Sequence, residues 1–184
     1  MIQSSESSWD YAMPFTPYHF GPALLIGVLL FPFIDLATVM IASVILDLEP
    51  LAVILFDLHM PLHAFFHTYL GASIVAVALS ICIYPLRKYL NELVAFFGMR
   101  QESSLRHIIP ASFIGTYSHV LLDSFLYAQM NPLFPLTGNP FVGLLTLGLV
   151  YNLCLGLGII GFFVYLIRVL LNIRINRTVG DAFE

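Results

Sequence analysis

HAFFHTYLGASIVAVALSICIYPLRK occupies residues 63–88, and positions 64–86 within it carry no Asp, Glu, Lys or Arg. As a helix rising ~1.5 Å per residue, that uncharged run extends about 34 Å, enough to cross roughly 30 Å of hydrocarbon. Arg87 and Lys88 close it. It opens on His63 and His67, spaced i, i+4. On a helix such a pair shares one face, one turn apart, and can ligate a single ion. Ionisable groups at membrane depth are costly, so they turn toward a polar interior and mark a functional site.

The rest of the chain has the same character. Of 184 residues, 59% are hydrophobic and 10% charged, where a soluble domain has about 25% charged residues. The mean hydropathy is +0.91. This predicts an all-α, polytopic integral membrane helical bundle of four to five transmembrane helices. Helices are expected over residues 21–34, 36–56, 64–86, 107–127 and 141–171, with an interfacial stretch at 91–97. The first is short, so it tilts, lies in the interface or is re-entrant, and the break falls at Phe31-Pro32-Phe33-Ile34-Asp35. Pro132, Pro135, Gly138 and Pro140 demand an irregular loop. Residues 1–18 read as an extramembrane tail without a basic signal-peptide n-region, 19–172 as the membrane domain, and 173–184 as a C-terminal tail. Cys82 and Cys154 read as small core residues. The glycines of the last segment suit close helix contacts, or are simply the glycines usual in membrane helices. A net charge of -4 without a basic patch excludes nucleic acid as a partner.

Arg87, Lys88, Arg100 and Arg106 cluster in one loop, and Arg174 and Arg177 in the C-terminal tail. The positive-inside rule places both in the cytoplasm of a multi-pass plasma-membrane protein. The opposite, outer leaflet then receives His19, Asp47, Glu49, His63, His67, His119 and Asp123. His119 and Asp123 form a second i, i+4 pair, and His-x-x-x-His beside His-x-x-x-Asp is ligand chemistry for a divalent metal such as zinc. Asp47 and Glu49 face apart on a regular helix but converge on a turn before Pro50. One is then a ligand, the other a general base or second ligand, and Glu49 is the expected catalytic base. His19 follows the rigid Pro14-Phe15-Thr16-Pro17-Tyr18 and is either a ligand or an interfacial anchor. His59 and His107 read as bystanders. Ser118 beside His119 does not make a serine triad, because adjacent side chains diverge on a helix.

Five stretches carry a family resemblance: MPFTPYHFGPALLIG (13–27), SVILDLEPLAVIL (43–55), PLHAFFHTYLGA (61–72), and GTYSHVLLDSFLY (115–127) with NPLFPLTG (131–138). Together they resemble the membrane-bound metal-dependent hydrolase family related to YdjM, its archaeal branch especially. The resemblance implies metal ligation by His19, Asp47, His63, His67, His119 and Asp123. Through a distant similarity to zinc-dependent phospholipase C, it also implies phosphoester hydrolysis. The chain departs from the family at Leu62-His63-Ala64-Phe65-Phe66-His67-Thr68, where the histidines lie closer and the usual arginine is missing.

The expectation is therefore a membrane-embedded hydrolase with one or two zinc ions, acting near the outer leaflet on a lipid or phosphoester. The alternative is a non-catalytic structural or accessory subunit of a larger membrane complex. In both cases the lipid bilayer is a partner, and in the second so are other membrane subunits.

Overall fold

The computed structural model describes residues 17–181, with side chains as far as 172. Among these the regular structure is helical throughout: α1 (Phe20–Leu29), α2 (Leu36–Ala42), α3 (Leu48–Leu55), α4 (Tyr69–Phe96), α5 (Leu105–Ser124) and α6 (Leu147–Asp181). Short 3-10 turns precede α1 at Pro17–His19, α3 at Ile45–Asp47 and α4 just after Phe65–His67. Three stretches are long and apolar enough to cross a membrane: Leu36–Leu55, Tyr69–Phe96 and Leu147–Asn172; Pro17–Leu29 is apolar but shorter.

Several boundaries differ from the sequence expectation. The helix expected over 36–56 is two short helices with a break at 43–47. Ser43 turns its hydroxyl onto the carbonyl of Met40 at 2.8 Å, an alternative to the helical ladder that serine offers readily. Pro50 then sits in the first turn of α3, where its missing N–H costs nothing. The third helix begins at Tyr69, capped by Thr68, whose hydroxyl accepts from the Gly71 N–H at 2.9 Å. It continues through Pro85, Arg87 and Lys88 and takes in the stretch expected to be a separate interfacial segment. The last helix begins at Leu147, later than expected, and runs on to Asp181 through what reads as a tail. The expected N-terminal tail lies mostly outside the described residues. Cys154 is buried as expected, whereas Cys82 is exposed.

α5 is the inner helix. It packs against α4 and α2 and buries Ser112, Thr116, His119, Asp123 and Ser124. A helix with one broad face buried in protein need not be apolar all round, which is consistent with its absence from the three long apolar stretches. Ser80 of α4 donates to Ser112 of α5 at 3.0 Å, a polar contact between two closely packed helices. Gly115 sets the distance between α5 and α2, since a β-carbon there would lie 2.4 Å from the Ala42 β-carbon. Gly158 and Gly161 of α6 lie against Gly21 and Leu25 of α1. Part of the glycine seam is therefore used within the chain.

A polar knot ties the far end of the bundle together. The Asp35 carboxylate caps α2, accepting from the Thr38 N–H at 2.6 Å, and takes the Ser103 hydroxyl on its other oxygen. Gln101 donates to the carbonyls of Ile34 and Pro32 and accepts from the Leu36 N–H. Asp35 is buried. Asp35→Ala removes a cap and leaves the Ser103 hydroxyl without its partner, so a loss of about 1–2 kcal/mol is expected. A lowered thermal midpoint in detergent, with unchanged metal content, is the expected readout.

Candidate metal centre

At the opposite end of the bundle, four elements deliver six buried side chains to one point. The helix break at 43–47 brings Asp47. The loop before α4 brings His63 and His67. The last two turns of α5 bring His119 and Asp123, and the 3-10 turn before α1 brings His19. All six are at most 5% exposed, and His67 and His119 are fully buried.

His119 and Asp123 meet as their spacing requires, with Nε2 3.2 Å from Oδ2 across one turn of α5. The His63–His67 pair reaches the same place by a different route. Neither residue lies on an α-helix: His67 ends a 3-10 turn and His63 precedes it in a loop. The expected shared helix face does not exist. Their rings instead meet edge to face, with centroids 4.7 Å apart, because Thr68 delays the helix until after both have turned inward.

Asp123 is the hub. Its Oδ1 lies 3.2 Å from His19 Nε2. Its Oδ2 lies 3.7 Å from His63 Nε2 and 3.8 Å from His67 Nε2. His119 Nε2 is also 3.3 Å from His67 Nε2 and 3.7 Å from Asp47 Oδ1. One ligand atom from each of Asp47, His67, His119 and Asp123 lies within 4.8 Å of all the others. His19 stacks on His119 at 4.1 Å, and His63 on Tyr127 at 3.8 Å.

The outer nitrogens of two histidines are engaged, which fixes how the inner ones face. His119 Nδ1 lies 2.8 Å from the carbonyl of Ser43, freed by the helix break. That carbonyl can only accept, so Nδ1 carries a proton and Nε2 is the inward atom, the one that would offer its lone pair to a bound cation. His67 Nδ1 lies 2.7 Å from Glu49 Oε2, which sets the same tautomer. Glu49 is in turn held by the Ala64 N–H on Oε2 and the Phe66 N–H on Oε1, both at 3.1 Å. A carboxylate or carbonyl behind a ligating imidazole is the usual outer support of a metal site.

Two buried carboxylates need compensation, because buried charges are paired or coordinate metals. Two lone-pair nitrogens 3.3 Å apart repel unless a proton or a cation lies between them. A divalent cation answers both demands, and the donor set of two imidazoles and two carboxylates suits one. Burial, and next the neighbouring His67 imidazole, push His63 down to about 3. It is therefore neutral at pH 7 and able to donate a lone pair.

The sequence-based candidates all gather here, Glu49 at one remove. His59 is exposed in the loop after α3, and His107 lies at the start of α5, accepting from the Ser104 N–H at 3.1 Å. Ser118 donates to the Gly115 carbonyl at 2.8 Å and takes no part in the cluster. Two contributors escaped the sequence reading. The Ser43 carbonyl is backbone, and no residue type announces it. Tyr127 stands four residues after Asp123, a spacing that offered a hint, although α5 ends before it.

Comparison with protein-family models, with curated proteins and with solved structures finds no match. The reading of the site rests on the side chains themselves.

Glu49→Gln keeps the shape and one acceptor but loses the charge facing His67. A 10–100-fold fall in metal affinity is expected, about the effect of losing an outer support. Competition with a chromophoric chelator measures it.

Proposed function

We propose that the protein is a membrane-embedded, metal-dependent hydrolase of the family related to YdjM, acting on a lipid or phosphoester near the outer leaflet. The observation that carries this reading is the buried convergence of Asp47, His67, His119 and Asp123, with both imidazoles held so that Nε2 faces inward. In this reading α2–α3, α4, α5 and α6 span the bilayer. The loop between α4 and α5 and the C-terminus face the cytoplasm, as their Arg and Lys residues favour. α1 enters from the outer side with His19 at its mouth.

Zinc is the proposed ion; when bound it would supply Lewis acidity. Asp47, His67, His119 and Asp123 would hold it. His19 and His63 flank Asp123, and each has an Nδ1 without a hydrogen-bond partner among the described residues. Those Nδ1 atoms, on the ring edges away from Asp123, are the groups proposed to bind or orient an incoming polar headgroup. Glu49 was the residue expected to act as base. Its oxygens already receive two backbone N–H groups and His67 Nδ1, so we assign it instead to positioning His67. The surrounding burial excludes bulk water, which strengthens each electrostatic contact at the site.

The test is purification in lipid nanodiscs, followed by assay against phospholipids and soluble phosphoesters. Turnover lost to a chelator, restored by zinc and missing in His119→Ala is the expected result. Activity indifferent to chelation and to His119→Ala would overturn the reading.

One observation favours a second reading. Only 11% of the most apolar window of α6 is buried within the chain, which leaves a long helical face for neighbouring subunits. A non-catalytic subunit of a larger membrane complex would hold the same ion structurally. It would purify natively in fixed stoichiometry with other chains and show no turnover.

A further inference from the structure

Between α3 and α4 runs a groove of about 350 Å³. Its walls include Leu46, Val53, Leu58, Met60, Phe66 and Val75, and its one ionisable lining residue is Glu49. We propose that this groove seats a single acyl chain of a bilayer lipid, with the chain's headgroup end directed toward Glu49 and the metal centre behind it.

Three observations commit the groove to that occupant. Its charge is spent: Glu49 receives the Ala64 and Phe66 N–H groups and His67 Nδ1. The groove therefore offers a charged or strongly polar ligand no partner and suits hydrocarbon. Its size is at the low end of small-molecule sites, which run from about 300 to 1,000 Å³, and it is too slight for a helix about 10–12 Å across. Its place is the third. Leu46, Leu48, Ala52 and Val53 come from the apolar stretch Leu36–Leu55 and Val75 from Tyr69–Phe96, both long enough to span a membrane, while Leu58, Met60 and Phe66 close the groove from the loop between them. The rim residues Leu48, Leu58, Met60 and Phe66 are exposed, so the groove opens on the apolar face that lipid tails would cover. The same Glu49 carboxylate that ends the groove touches the imidazole of a proposed metal ligand. A lipid held by its tail would thus bring its neutral ester region toward the site.

The link to chemistry rests on the hydrolase reading above, and the experiment separates the two. The protein is reconstituted in phosphatidylcholine–phosphatidylglycerol nanodiscs containing a phosphatidylcholine with a diazirine on one acyl chain. Adducts are mapped by mass spectrometry after photolysis, and metal content is measured on the same samples. Ala52→Trp fills the groove from inside. Leu58→Trp narrows it from the exposed rim and guards against a folding defect in the first variant. The expected result is adducts concentrated on residues 52–60, Phe66 and Val75. They should fall about tenfold in both variants, equivalent to ~1.4 kcal/mol of lost seating, while metal content stays as in the wild type. Adducts spread evenly over the exposed faces of α4 and α6 would overturn the proposal. So would a groove free of adducts in a protein whose wild-type dimer dissociates on Ala52→Trp, since a second copy would then be the occupant. Groove adducts on a protein without metal or turnover would uphold the acyl seat and sink the hydrolase reading.

Discussion

Asp123→Asn is expected to lower metal affinity by more than about 100-fold, beyond the loss typical of an outer support. The substitution conserves volume, so packing around residue 123 should survive. What changes is the centre of the cluster. The Asp123 carboxylate lies within 3.8 Å of the inward nitrogens of His19, His63, His67 and His119. Asparagine removes the negative charge that would hold a cation among these imidazoles, and its neutral amide is a much poorer metal ligand than a carboxylate. Because an ion bound only by the folded chain stabilises it by mass action, its loss should also remove about 3–4 kcal/mol at metal concentrations of 100 to 1,000 times Kd. Calorimetry with and without chelator should show a large metal-dependent shift for the wild type and almost none for Asp123→Asn. A variant that keeps its metal would remove Asp123 from the ligand set.

The second large effect is expected at a residue that ligates nothing itself, one helical turn before His119. Gly115→Val places a β-carbon 2.4 Å from the Ala42 β-carbon and 2.8 Å from the Val39 carbonyl oxygen. Neither neighbour is the tip of a flexible side chain, so α2 must move away from α5. Overpacking of this kind costs about 1–3 kcal/mol. Here it should also cost metal, because the end of α2 carries the Ser43 carbonyl that holds His119, and Asp47 follows four residues later. The variant is expected to lose affinity for metal while every ligand residue remains. Gly115→Ala should show the same effect more weakly. Wild-type metal binding by a folded Gly115→Val protein would show that the approach of α2 to α5 does not position the site.

These two substitutions mark what the sequence could and could not convey. The apolar runs are long and the charges are gathered at their ends, so a helical, membrane-like chain was legible from composition and charge placement alone. The members of the site were legible for the same reason: carboxylates and imidazoles inside such runs have few other uses. The way they converge was not. His63 and His67 carry helical spacing, yet a loop and a 3-10 turn bring them together. The deciding contacts are the Thr68 cap and the clamp of Glu49 on the Ala64 and Phe66 N–H groups, which lie fifteen and seventeen positions from it. Asp47 and Glu49, two apart, point different ways, as periodicity requires on a regular helix, but the break at Ser43 sends one to the centre and the other behind His67. Helix breaks satisfied by a distant imidazole, such as Ser43 with His119, leave no trace in residue identity. The boundary of α4 was missed because Pro85, Arg87 and Lys88 resemble a terminus. A helix can absorb an internal proline at some cost, and the charges there are already near the end of the hydrocarbon-length run.

The arrangement of imidazoles and carboxylates around a shared point makes its strongest claim about what lies between them. The most direct test is the metal content of wild-type protein purified from membranes through a tag that does not itself bind metal, then examined by X-ray absorption. About one transition-metal ion per chain, with imidazole scattering that disappears in His67→Ala/His119→Ala, is the expected result for a site built from these ligands. Less than roughly 0.2 ion per chain after incubation with zinc, unchanged by the double substitution, would contradict it and leave a buried polar cluster held by its own hydrogen bonds and ring contacts.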